Sequence, residues 1–274
     1  MNIAQALQQA RCFSILSLEA QTLLLHALGR DLHDRAWLLL HDSDELPLHI
    51  SALYNNLMQR RLAHEPLAYL TGQQEFHGLT LQVDQRVLVP RPDTETLVDW
   101  ALELELPPQA HVLDLGTGSG AIALALKNAR PHWQVQAVDA SEQALVVASG
   151  NAAHLQLEVS FLHSHWFSQV QDRFNLVVSN PPYIAQGDPH LPALRAEPLQ
   201  ALVSGADGFD DLRTITAQAP AHLLPGAWLL LEHGFDQAPA VRQLLASKGF
   251  VQVQSRKDIA GIDRCSGGQW PEVK

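Results

Sequence analysis

Apolar positions along the chain change their period twice. Up to about residue 70 they recur at helical spacing: Leu16, Leu23, Leu24, Ala27 and Leu28 form one set, and Leu53, Leu57 and Leu62 another. Stripes of that spacing predict short amphipathic helices. Ser17, followed by Glu19 and Ala20, marks a helix start and Gly29 a stop, while residues 37–40 add core material. The period then shortens, and residues 76–82 and 86–89 predict a strand pair. Pro90 and Pro92 stiffen the approach to a helix that Asp93 or Thr94 caps. From Ala110 onward, short β-branched apolar runs alternate with helical stretches. They predict strands at 110–115, 134–139, 157–162, 174–179, 226–233 and 250–257, with a last one around 264–270. The long connections imply a mostly parallel, seven-stranded sheet covered by helices on both faces, an α/β architecture. The expected organisation is a helical domain over 1–72, a β-hairpin linker over 73–90 and a larger domain over 91–274.

In such sheets ligands bind at the C-terminal ends of strands, and four strand ends here carry chemistry. The first predicted strand of the larger domain runs into Gly116-Thr117-Gly118-Ser119-Gly120 and then an apolar helix. Glycines between strand and helix let a ligand approach the backbone, with helix N–H groups facing it. Gly116, Gly118 and Ala121 also satisfy the dinucleotide pattern, so the loop alone fits NAD as well. The next strand ends in Asp139, 25 residues after Asp114, where a carboxylate suits a ribose diol; Ser141 is available to cap the helix that follows. Trp166 falls just beyond the third strand's end, either as core or as part of a shared site. The fourth strand stops at Asn180-Pro181-Pro182-Tyr183. Neither proline donates to a sheet ladder. Asn180 offers a carbonyl acceptor, Pro181 a second one on the backbone, and Tyr183 a flat face with a polar tip. Two fixed acceptors beside an aromatic plate suit a planar –NH2 group.

Composition narrows the classes. The 274-residue chain has a formal net charge of −11, which argues against a broad footprint on nucleic-acid phosphates. Its two cysteines, Cys12 and Cys265, lie far apart without a pairing pattern, as in a reducing compartment. No apolar run of spanning length and no signal peptide is seen, so the expectation is a cytoplasmic protein without membrane association. His163 and His165 form a His-x-His pair with no third ligand in view, and no metal is expected.

Nucleoside chemistry at one strand end and an amine-holding Asn-Pro-Pro-Tyr at a later one resemble the S-adenosylmethionine-dependent amino-methyltransferases. Three further segments resemble one branch of them, the peptide chain release factor glutamine methyltransferases (the PrmC/HemK family). They are Glu65-Pro66-Leu67-Ala68-Tyr69-Leu70-Thr71-Gly72, Glu75-Phe76-His77-Gly78, and Val87-Leu88-Val89-Pro90-Arg91-Pro92-Asp93-Thr94-Glu95. The resemblance covers the chain from about Glu65 to the end, and the first sixty residues only loosely. It implies a Rossmann-like methyltransferase domain, S-adenosylmethionine as cofactor, and transfer of its methyl to the side-chain N5 of the glutamine in the Gly-Gly-Gln loop of class-1 release factors. It also implies that the helical domain grips the protein substrate. A monomer is expected, and the acidic balance leads to the expectation that no stable nucleic acid is bound. Asn180, Pro181 and Tyr183 are then the catalytic set, with Pro182 beside them at the substrate. Gly116, Thr117, Gly118, Ser119, Gly120, Asp139, Trp166 and Asn180 surround the cofactor. Arg91 and Glu95 are placed near the site, either as contacts or as a structural link. His165 stands where the family commonly has an acid beside the adenine. Gly267-Gly268-Gln269 matches the target tripeptide by chance, inside a predicted strand or turn.

Two rival functions share parts of this pattern. An adenine-N6 nucleic-acid methyltransferase uses the same Asn-Pro-Pro-Tyr on a flipped base, and the acidic balance opposes it. A non-methylating nucleotide binder, or an interaction module with a decayed site, fits the glycine loop but leaves 180–183 unexplained.

Overall fold

A computed structural model describes residues 1–272, which divide into two compact units, Met1–Gln73 and the chain from Gln74 onward. The first unit holds five helices: α1 (Ile3–Cys12), α2 (Ser17–Ala27), α3 (Arg35–Leu40), α4 (Leu48–Leu62) and α5 (Leu67–Thr71). α1 opens with a capping box, Asn2 accepting from the Gln5 N–H and Gln5 from that of Asn2. Gly29 adopts a left-handed φ of 66° just past α2, the geometry expected of a glycine stop. Ser17 does begin α2, but its side chain caps nothing. The buried face of α4 is Tyr54, Leu57 and Met58, whereas Leu53 and Leu62 are exposed. The helical spacing holds and Leu57 keeps its expected place, with Tyr54 and Met58 beside it instead of Leu53 and Leu62. These residues join Ile3, Leu23, Leu24, Leu25 and Leu38 in a closed core.

The second unit begins with β1 (Gln73–Phe76) and β2 (Leu79–Gln82), a two-stranded sheet of their own. The expected pairing of 76–82 with 86–89 is not found. His77 and Gly78 both take positive φ, 48° and 75°, so the chain reverses there in a two-residue turn. Residues 86–89 run as an irregular segment, though Val87 and Val89 are buried. Then come α6 (Glu95–Glu103), β3 (His111–Leu115), α7 (Ala121–Ala129), β4 (Gln134–Asp139), α8 (Glu142–Leu155), β5 (Ser160–His163) and β6 (Phe174–Ser179). The last elements are α9 (Asp210–Gln218), β7 (Leu223–Glu232), α10 (Ala238–Ser247), β8 (Val251–Lys257) and β9 (Asp263–Gln269).

Seven of these strands form one sheet in the order β5-β4-β3-β6-β7-β9-β8. β5, β4, β3, β6 and β7 are mutually parallel, and β9 runs antiparallel between β7 and β8. Almost every residue of β3 and β6 is buried, as a strand covered on both faces requires. The chain winds outward from β3 to β4 and β5, then returns to place β6 on its other side. β3 and β6 therefore flank the point where the order reverses, and their C-terminal ends open a crevice.

Candidate functional site

A cavity of about 420 Å³ occupies that crevice, a volume in the range of small-ligand sites, about 300–1,000 Å³. Of the residues singled out from the sequence, Gly116, Gly118, Asp139, His165, Trp166, Asn180 and Pro182 line it. Gly116 and Gly118 have φ of 71° and 57°, which glycine alone adopts without strain. A side chain at Gly116 would press within 3.2 Å of the Trp166 ring. Backbone there forms the cavity wall because no Cβ intrudes.

Asp139 lies at the end of β4. Its Oδ2 accepts from the Gly118 N–H at 2.9 Å and its Oδ1 from the Ser141 N–H at 2.8 Å. Ser141 caps α8 by accepting from the Ala144 N–H, so Asp139 is not itself the helix cap. Burial pushes the Asp139 carboxyl up from its ordinary range, against the pull of these backbone donors. Each oxygen retains accepting capacity on the cavity side.

Trp166 is 9% exposed, holds a left-handed φ of 50°, and donates from Nε1 to Asp211 Oδ1 at 3.0 Å. Asp211 in turn accepts from the Ser204 hydroxyl at 2.7 Å. The indole thus serves the core and the cavity wall together. His165, exposed beside it, has its ring tilted 59° to the indole.

The rest of the glycine loop turns inward. The Thr117 hydroxyl donates to Asp114 Oδ2 at 2.7 Å, and Ser119 is buried with its carbonyl bonded by Asn151. At Gly120, φ is 85° and an added Cβ would lie 3.0 Å from Leu124 and 3.3 Å from Ala148. These three residues set the packing of α7 against its neighbours and do not line the cavity. Asp114 itself is fully buried, and its Oδ1 has no hydrogen-bond partner. Burial pushes its carboxyl up to about 7, offset by the Thr117 hydroxyl and the Ala123 N–H.

Asn180 follows β6 with its carbonyl end free for the cavity, because its Nδ2 donates to Thr94 Oγ1 at 3.2 Å. Pro181 is buried, and Pro182 lines the wall. Tyr183 sits apart from the cavity lining. Its hydroxyl donates to Glu232 Oε1 at 3.4 Å and its carbonyl accepts from Gln237 at 3.0 Å. Burial raises the Tyr183 hydroxyl well above its ordinary value. Arg91 and Glu95 do not pair with each other. Arg91 Nη2 donates to Glu197 Oε1 at 2.5 Å, and Glu95 accepts from the His77 N–H at 2.9 Å. Glu197 also accepts from the Val89 N–H, which ties residues 89–91 to the segment carrying Pro198, Gln200 and Ala201 on the cavity wall.

Thr94 was expected only as a helix cap. It occupies that position but makes no capping bond and serves Asn180 instead. Glu232, Asp211, Arg86 and Leu88 were not anticipated; Glu232 ends β7, and the strand-end reasoning that found Asp139 applies to it equally. Gly267-Gly268-Gln269 lies within β9, with Gln269 Nε2 bonded to the Gly226 carbonyl at 2.9 Å. Among the described residues no three His, Cys, Asp or Glu side chains gather as metal ligands, and no helix is long and apolar enough to cross a membrane.

Comparison with known proteins matches residues 94–204 to the Methyltransferase small domain and residues 2–72 to the PrmC N-terminal domain. A Bordetella pertussis protein named release factor glutamine methyltransferase is 49% identical over 92% of this chain and 94% of its own length. A protein of the same name from Xylella fastidiosa strain Temecula1 is 46% identical over 97% of this chain and 98% of its own. Among solved structures, a Thermus thermophilus 16S rRNA N2 G1207 methyltransferase in complex with AdoMet and guanosine superposes with a TM-score of 0.53 at 22% identity. That match covers 72% of this chain and 49% of the other, and it shows a shared fold.

Proposed function

The chain belongs to the release factor glutamine methyltransferases, and on that premise we propose how its own residues carry the reaction. It is an enzyme that methylates a release factor glutamine with S-adenosylmethionine as donor. The observation that carries the residue assignment is the Asn180 side chain, held by Thr94 on the wall of the same cavity as Gly116, Gly118 and Asp139.

The cavity fits the cofactor. Asp139 has accepting capacity for a ribose diol, the glycine backbone leaves room beside it, and the Trp166 ring offers a flat wall to a base. His165 accepts through one nitrogen at most when neutral, so it is a weaker partner for an adenine amino group than an acid. Bound S-adenosylmethionine supplies an electrophilic methyl group.

An amide nitrogen is a poor nucleophile because its lone pair is delocalised into the carbonyl. Asn180 Oδ1 and the Pro181 carbonyl would accept its two N–H bonds, orient it and favour positive charge as it develops there. Tyr183 supports the loop from behind through Glu232 and Gln237. No side chain is assigned as a general base. The target is the Gly-Gly-Gln loop of class-1 release factors, gripped by the helical unit, in the cytoplasm, by a monomer that holds no stable nucleic acid.

The experiment is incorporation of labelled methyl from S-adenosylmethionine into a purified release factor, its loop Gln→Ala variant, and DNA and RNA controls. Label on the wild-type factor alone is expected. Label on nucleic acid alone would overturn the substrate assignment. Asn180→Ala should lose most turnover, and unchanged turnover would remove Asn180 from its role.

A further inference from the structure

Behind Asn180 stand two groups with no direct part in the reaction. Thr94 is buried at the start of α6, where a threonine ordinarily caps the backbone, yet its hydroxyl makes no such bond and receives Asn180 Nδ2. Beyond it lies the Glu232 carboxyl, 1% exposed, whose ionised form the Thr94 hydroxyl favours; Arg264, paired with Asp93 and next to the Cys265 that pairs Glu232 in the sheet, brings the two segments together. Glu232 Oε1 accepts from the Tyr183 hydroxyl, and Oε2 is buried with no hydrogen-bond partner among the described residues, an acceptor left open for a donor.

We propose that Thr94 and Glu232 are positioning residues that decide which end of the Asn180 amide faces the cavity. This rests on the reading that Asn180 Oδ1 accepts from the target amide. A hydroxyl has one hydrogen and a carboxylate only accepts. With Glu232 ionised, the Thr94 hydrogen turns to it, Thr94 offers Asn180 only lone pairs, and Asn180 must present Nδ2 to Thr94. Oδ1 is then left to the cavity. With Glu232 protonated, its O–H donates to Thr94, and the Thr94 hydrogen is free to bond Asn180 Oδ1. The amide then turns its –NH2 to the cavity, where it opposes the N–H groups of a substrate amide.

The groups around Glu232 place this exchange near neutrality. Burial pushes its carboxyl up to about 7. The Thr94 hydroxyl, Arg264 on β9 and the Tyr183 hydroxyl draw it down, while Asp93 ahead of α6 raises it, and Cys265 on β9 lies within its field. Arg264 is itself held by Asp258 at 3.1 Å and Asp93 at 3.2 Å, so its charge is fixed beside the carboxyl.

The test compares Thr94→Val, Thr94→Ser and Glu232→Gln with the wild type by labelled methyl transfer to a release factor at several pH values around neutrality. Thr94→Val and Glu232→Gln should lower kcat about 10- to 100-fold, with little change in S-adenosylmethionine affinity or melting midpoint, and Thr94→Ser should restore it. The wild-type kcat should fall toward acid with a midpoint near neutrality, and Glu232→Gln should lack that limb. A second readout needs no turnover. The Asn180 side-chain –NH2 signal, assigned by its loss in Asn180→Ala, should shift in ¹⁵N–¹H spectra with the same midpoint, and be flat in Glu232→Gln. Equal kcat in Thr94→Val and Thr94→Ser, an acid limb retained by Glu232→Gln, or a pH-independent Asn180 signal in the wild type would each overturn the proposal. A wild-type enzyme that leaves the factor unlabelled would sink the functional reading alone, and the spectra would still decide this one.

Discussion

Replacing Asp139 by alanine separates the structural task of its carboxylate from the binding task proposed for it. In the folded protein it accepts from Gly118 and Ser141, and on the cavity side it is assigned the ribose hydroxyls. Hydrogen bonds to a charged acceptor contribute about 1.5–3 kcal/mol each. Two of them to a diol, less the cost of drying a carboxylate that burial already disfavours, leave about 3–4 kcal/mol. At about 1.4 kcal/mol per decade, the dissociation constant for S-adenosylmethionine should rise about 100- to 1,000-fold. The fold pays less: two partly buried N–H groups lose acceptors at about 1 kcal/mol each, and relief of a buried charge offsets part of that, for a net loss of about 1–2 kcal/mol. Calorimetric titration with S-adenosylmethionine and denaturant unfolding of the same preparation read both numbers. Asp139→Asn, which keeps a single acceptor oxygen, should fall between. Affinity within threefold of the wild type would remove the ribose contact from the argument. Unfolding by several kcal/mol more than expected would show that the carboxylate mainly holds the glycine loop.

Three other perturbations follow from the same geometry. Asp114 has its carboxyl raised from an ordinary 3.8 to about 7. The folded state therefore holds a proton that the unfolded chain has lost, and this contribution is complete below about pH 4 and disappears as pH rises to about 7. Asp114→Asn should flatten that part of the unfolding free energy against pH, and an unchanged slope would mean another group carries it. Gly120→Ala should destabilise by about 2–3 kcal/mol, from a left-handed φ and the crowding at Leu124 and Ala148, while folded protein keeps its cofactor affinity. A selective affinity loss would return Gly120 to the binding site. Glu197→Ala leaves the buried Val89 N–H and Arg91 without their acceptor, at about 2 kcal/mol. Hydrogen exchange should quicken at Val89 and across 197–201, and an unaltered pattern there would refute the tie.

The sheet was legible because a strand buried on both faces must be written as a short apolar run, and β3 and β6 are. Strand-end reasoning located Asp139 and Asn180 for the same reason. Turn chemistry was less legible: His77 adopts a conformation that histidine seldom takes, so the reversal before β2 gave no Asn-Gly or Gly-Gly signal. The α4 stripe is only partly readable, because leucines are equally at home on a half-exposed surface: Leu57 is buried, but Tyr54 and not Leu53 lies beside it. Within the glycine loop, sequence shows five small residues in a row but not which face the cavity. That depends on Gly120 lying close against Ala148 of α8, a neighbour distant in the chain. Thr94 was hidden by its own plausibility as a cap, since its real partner lies 86 residues away.

The tripeptide Gly267-Gly268-Gln269 puts a condition on what this enzyme recognises. A side chain at Gly267 would run into Leu230 and Trp100, one at Gly268 into Phe250, and the Gln269 amide already donates to Gly226 and accepts from Gln252. The letters of the proposed target are present, and both ends of the Gln269 amide are engaged by neighbouring strands. Substrate identity is therefore a property of conformation as much as of spelling. A survey of a proteome for the tripeptide overcounts targets, and one restricted to chain whose glutamine nitrogen no carbonyl has claimed does not. By the same logic, a denatured copy of this protein would display a segment that its folded copies conceal.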